Sequence, residues 1–130
     1  MSKMTANSQE LALRYLLELS SDIRMALLLD RDGRLLAAAP QPPPGRMAEL
    51  AGELSREAGE RFGSGSETVE LDAVCEGGTL FLIRYAEGAM VCLTDRSVLP
   101  GLIFYDMHAV LTDLDRAASA EARRVGAAPR

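Results

Sequence analysis

From Ile23 the chain runs Ile-Arg-Met-Ala-Leu-Leu-Leu-Asp, and every position from Met25 to Leu29 is apolar. A strand without polar alternation has no wet face, so it must be covered on both sides. Arg31-Asp32-Gly33 supplies a turn and Arg34 to Ala39 a second strand, which together predict a β-hairpin. Ahead of it, Leu13, Leu16 and Leu17 fall at helical spacing behind a capping pattern in Asn7 to Glu10, which predicts a first helix from about Ser8 to Ser20.

After the hairpin, Pro40-Gln41-Pro42-Pro43-Pro44-Gly45 cannot continue a sheet and predicts a stiff, extended link. A second helix follows, with Met47, Leu50, Ala51, Leu54, Ala58 and Phe62 on one face and Glu49, Glu53, Arg56, Glu57 and Glu60 around the rest. Gly63 is placed to end it. Three strands are predicted next, at Glu67 to Val74, Thr79 to Tyr85 and Ala89 to Thr94, joined by short glycine-containing turns. The first alternates Val69, Leu71 and Ala73 with Thr68, Glu70 and Asp72, as a half-exposed strand does. A last helix starts near Pro100 with Ile103, Met107, Val110, Leu111 and Leu114 on one stripe. Val98, Leu102, Tyr105 and Ala109 make a second stripe, which calls for a second neighbour. Beyond Ala117 large periodic apolar residues stop, so the expected arrangement is one domain at residues 8–117 between flexible termini at 1–7 and 118–130.

A length of 130 residues suits one hydrophobic core. The net charge of −5 weighs against nucleic acid or an anionic membrane as the main partner, since such surfaces select clustered Lys and Arg. The only basic cluster is Arg116, Arg123, Arg124 and Arg130. A polar N-terminus and charged residues within the first helix predict neither a signal peptide nor a membrane span, and hence a cytoplasmic protein.

Catalytic groups are sparse. His108 is the single histidine and nothing clusters with it in sequence. Cys75 and Cys92 lack metal or redox spacing and read as buried thiols. Asp30-Arg31-Asp32-Gly33 lacks the downstream acidic ligand of a calcium loop. The glycines from Gly59 to Gly65 lack the Gly-Lys-Ser/Thr ending of a phosphate loop. The reading is therefore no enzyme, no metal and no cofactor.

The order helix, strand, strand, helix, three strands, helix carries distinctive wording. It includes Ile23 to Asp30 followed by Asp32-Gly33-Arg34-Leu35-Leu36-Ala37, then Leu50-Ala51 with Phe62-Gly63, Gly78 to Leu82, and Pro100 to Met107. In these residues the chain resembles the roadblock / dynein light-chain superfamily, its bacterial MglB-like branch most of all. Pro100 departs from the commoner pattern, which has a residue with a backbone donor there.

The resemblance implies an α/β (α+β) three-layer, profilin-like roadblock fold: a five-stranded antiparallel sheet with helix two on one face and helices one and three on the other. It also implies a homodimer formed by helix two and the third strand, and a non-enzymatic regulator or scaffold that binds a small Ras-like, Mgl-type GTPase and biases its switch. A dimerisation adaptor for a signalling or motor complex and a PAS-like small-molecule sensor are the alternatives. The sequence permits the pairing, because an edge strand at Glu67 to Val74 gains a ladder from its own copy. Candidate interface residues are Ala48, Gly52, Ser55 and Gly59 on helix two and Thr68, Glu70 and Asp72 on the strand. The two helical glycines fit either the close approach of a second helix or tolerated surface positions. Glu49, Glu53, Arg56 and Glu60 are candidate contacts for the partner.

Overall fold

In the computed structural model, which describes residues 2–62, 68–95 and 98–127, the all-apolar run becomes strand β1 (Ile23–Asp30) and a turn leads into β2 (Leu35–Ala39). The Asp30 carboxylate shapes that turn by accepting from the backbone N–H groups of Asp32 and Arg34, each at 2.9 Å. Aspartate commonly builds turns this way, and its oxygen is occupied in doing so. Gly33 closes the turn at φ 86°, a left-handed conformation that suits glycine.

Helix α1 (Ser2–Leu19) precedes the hairpin and α2 (Met47–Phe62) follows it. A meander of β3 (Val69–Cys75), β4 (Gly78–Tyr85) and β5 (Gly88–Thr94) leads to α3 (Pro100–Ala127). All strand pairings are antiparallel, and the spatial order is β2-β1-β5-β4-β3. Strand β5 returns to the middle, so Val91 sits opposite Leu27 on one side and Leu82 on the other. Strands β2 and β3 form the two edges.

Alternation along the inner strands divides the core into two. Leu27, Leu29, Leu82 and Val91 face α2 and pack with its Ala51 and Ala58. Ala26, Leu28, Phe81, Ile83, Met90 and Cys92 face the other way, against Leu13 and Leu16 of α1 and Ile103, Met107 and Val110 of α3. Full burial of a side chain such as Leu27 or Ile83 contributes roughly 1.5–3 kcal/mol, so each layer is held chiefly by apolar contact. Phe81 meets Phe104 edge to face, centroids 5.2 Å apart, and pins α3 to β4.

Helix runs into both terminal segments, beginning at Ser2 and ending at Ala127. The alanine- and arginine-rich stretch after Ala117 lacks packing residues, yet those residue types have high helix propensity and simply continue the helix. The link from Pro40 to Gly45 bends instead of running straight. Of the second apolar stripe, Val98 packs on the core just ahead of α3, whereas Leu102 and Tyr105 are 62% and 73% exposed and have no covering neighbour among the described residues. Gly63 and Glu67 lie outside the described residues, as does the side chain of Cys75.

The glycine at position 52 is explained within the chain. Helix α2 crosses so close to the β1–β2 turn that a Cβ on Gly52 would sit 2.5 Å from the Gly33 carbonyl oxygen. Arg56, one turn on, donates from Nη1 to the Asp32 carbonyl at 3.0 Å and ties the same turn to the helix. Gly52→Ala is expected to lower stability by about 1–2 kcal/mol, because overpacking against backbone outweighs the ~1 kcal/mol gained in helix propensity. Denaturant unfolding checks this, and a more stable variant would mean that the helix stands off from the turn.

Candidate functional site

Helix α2 crosses its face of the sheet obliquely. Gly52 lies over the turn between β1 and β2, and seven residues later Gly59 lies over Arg84 of β4, so the C-terminal end of the helix points toward the β3 edge. Arg84 holds that end down. Its Nη1 donates to the carbonyl oxygen and to the hydroxyl oxygen of Ser55, both at 3.1 Å, and Ser55 is fully buried.

Within the chain, Gly52, Ser55 and Gly59 of the small-residue track admit the chain's own turn and the Arg84 guanidinium. Ala48, beside them, is half-buried. The outward side of α2 is different in character. Glu49, Glu53, Arg56 and Glu60 are all exposed, as the sequence pattern predicts. Arg56 is held by the turn and Glu49 lies 3.4 Å from Arg46, whereas Glu53 and Glu60 form no ion pair among the described residues. Two large apolar side chains of α2 are exposed, Leu50 at 50% and Phe62, in the helix's last position, at 59%, although both were expected on the buried stripe. Ala51 and Ala58 take the inner positions, with Met47 and Leu54 packing beside them.

The second component is the edge strand. Among the described residues β3 pairs with one strand, β4, and its Leu71 packs into the layer beneath α2. Thr68, Glu70 and Asp72 are exposed, and Val74 is 84% exposed. Glu70 has a partner that the sequence did not reveal: its Oε2 meets His108 Nε2 of α3. The two residues are 38 positions apart, and no local pattern in either segment announces the contact.

The electrostatics add little chemistry. Burial pushes the Cys92 thiol above its ordinary range, which makes it unreactive. The Tyr85 phenol is pushed up to about 12, first by burial and then by the Glu87 carboxylate. Among the described residues no group of three or more His, Cys, Asp or Glu could hold a metal ion, and no helix is long and apolar enough to cross a membrane. The surface formed by α2 and β3 presents apolar side chains, carboxylates and a strand edge, which are means of binding a protein.

Solved structures with this arrangement are found across most of the chain. The roadblock/LC7 domain of Streptomyces avermitilis matches at a TM-score of 0.66 and 19% identity, covering 85% of this chain and 97% of its own. The fold is that of the roadblock domain. The gliding protein MglB of Thermus thermophilus matches at a TM-score of 0.67 and 21% identity over 89% of this chain and 92% of its own. Myxococcus xanthus MglB gives 0.68 and 14%, over 88% and 90%. The same layering extends to profilin IA of Acanthamoeba castellanii. No family model matches the sequence, and no curated protein matches it. At these identities the likeness is carried by the layers and by the order of elements.

Within the roadblock fold, Arg84 is the tie between the α2 layer and the sheet beside the β3 edge. Arg84→Ala is expected to cost about 1.5–3 kcal/mol, the usual range for hydrogen bonds to a charged group. Backbone amides in the C-terminal half of α2 should then exchange faster with solvent while those of α1 do not. Unchanged exchange in α2 would show that Arg84 is not what holds the helix.

Proposed function

We propose that the protein is a homodimeric, non-enzymatic regulator or scaffold that binds a small Ras-like, Mgl-type GTPase and biases its nucleotide switch. One observation carries this reading: the exposed apolar end of α2, at Phe62, points toward an edge strand in a fold shared with MglB. A second copy meeting β3 about a two-fold axis continues the sheet from one protomer into the next and brings the two Phe62 side chains together. The interface then comprises Leu50, Phe62 and the β3 edge with Thr68, Glu70 and Asp72. The buried Gly52 and Ser55 and the half-buried Gly59 support it from beneath.

The resemblance to the MglB-like branch supplies the GTPase. The chain carries no phosphate-binding loop of its own, so it acts on a switch by contacting the protein that holds the nucleotide. Contact changes the switch only if the two nucleotide states are bound with different affinity. Glu53 and Glu60, exposed and without ion pairs among the described residues, are the groups offered to a basic patch on that partner.

Titration calorimetry with an Mgl-type GTPase loaded with GDP or with a GTP analogue tests the reading. The expected result is roughly tenfold tighter binding of one state, equivalent to about 1.4 kcal/mol of coupling. The double variant Glu53→Lys with Glu60→Lys should weaken that binding. Equal affinity for both states would leave an adaptor in place of a regulator, and absence of binding would overturn the GTPase assignment. Phe62→Glu should raise the dissociation constant of the dimer tenfold or more, about 1.4 kcal/mol at least, as expected for loss of an aromatic anchor. An unchanged dimer would remove Phe62 from the interface.

A further inference from the structure

On the opposite face of the sheet a cleft of about 590 Å³ opens between the C-terminal half of α3, the N-terminal part of α1 and the β4–β5 turn. Leu28, Ile83, Tyr85, Leu111 and Leu114 make its apolar floor and inner wall. Glu87, Asp115 and Glu121 stand at its mouth, and none of them forms an ion pair among the described residues. Among those residues no lysine or arginine lines it. Along α3 the lining extends from His108 to Glu121, about 20 Å at 1.5 Å per residue, which makes it a trough and not a compact chamber.

Helix α3 itself reaches past the core. Leu114 is its last residue packed on either apolar cluster, and Ala117, Ala118 and Glu121, which line the trough, are exposed. A helix end gains most of its stability in water from packing on a neighbour, and these small residues let a neighbour come close.

We infer that this trough is the docking site for a basic amphipathic helix of a partner protein. Apolar side chains at i, i+3 or i+4 and i+7 seat on the floor, and Lys or Arg at the flanks meet Glu87, Asp115 and Glu121. An extended peptide fits less well, because the floor strands β1 and β4 are already paired on both sides and the edge strand β2 contributes only Leu36 to the lining. A second copy of this chain does not fit either: α2 is acidic, and the arginines after residue 115 have no large apolar residues at helical spacing. The trough lies apart from α2 but borders the β3 edge, since Thr68 lines it and His108 in its wall contacts Glu70; the substitutions expected to weaken binding are all on α3, so their outcome is distinct from that of the proposed dimer and GTPase.

The test uses the full chain and a fluorescent helical peptide of about 14 residues, long enough for the trough at 1.5 Å per residue, with leucine at the seating positions and lysine elsewhere. A matched peptide carries glutamate in place of lysine. Anisotropy should show binding of the lysine peptide and none of the glutamate peptide. Asp115→Lys with Glu121→Lys should weaken binding about tenfold or more, and Ala118→Trp, which fills the trough without altering charge, should weaken it too. Glu18→Lys with Asp22→Lys makes the same change in net charge away from the trough and should leave binding intact. Failure of the lysine peptide to bind, or equal loss in the two charge-reversed variants, would overturn the proposal.

Discussion

The structure depends on one constraint: its central strands are apolar on both faces. Leu27 and Leu28, adjacent in β1, point to opposite sides and are both buried. Neither can face water without losing roughly 1.5–3 kcal/mol of burial. One layer on each side is therefore obligatory, and the chain supplies α2 to one and α1 with α3 to the other. The position of α2 follows from the same demand, since a helix bearing alanine at its inner positions must lie close to bury the sheet. That closeness is what requires glycine at positions 52 and 33.

Covering both faces does nothing for the edges. β2 and β3 remain as the sheet's two ends. An edge strand invites pairing, and natural folds cover it, shorten it or pair it. Here α2 runs toward the β3 edge and ends in an exposed aromatic residue, which joins the structural remedy for an open edge to the surface on which the proposed function rests. The trough on the other face arises differently, from an α3 that outruns the core it packs on. The two surfaces share no residue of α2, but they adjoin at Thr68 and at the His108–Glu70 contact.

Much of this was legible in the sequence because it is encoded locally. The all-apolar run at Met25 to Leu29, the Asp-Gly turn and the alternation in Val69 to Ala73 each report on their immediate surroundings, and each became the element it suggested. What failed to show was contact between distant segments. Gly52, Ser55 and Gly59 form a small-residue track in any reading, but only the crossing of α2 over Gly33 and Arg84 shows that the track is filled from within. His108 looked isolated because Glu70 lies 38 residues away on another element. The second stripe of α3 illustrates the converse. Helical periodicity shows that Leu102 and Tyr105 share a side, yet it cannot supply a neighbour, and among the described residues none covers them.

The central claim is that this roadblock fold completes its sheet by pairing with its own copy. Multi-angle light scattering on the purified chain at micromolar concentration tests it most directly. The account predicts a mass of twice the 14.0 kDa chain, persisting on dilution. A mass of 14.0 kDa throughout would contradict it and leave the β3 edge and Phe62 without the role assigned to them.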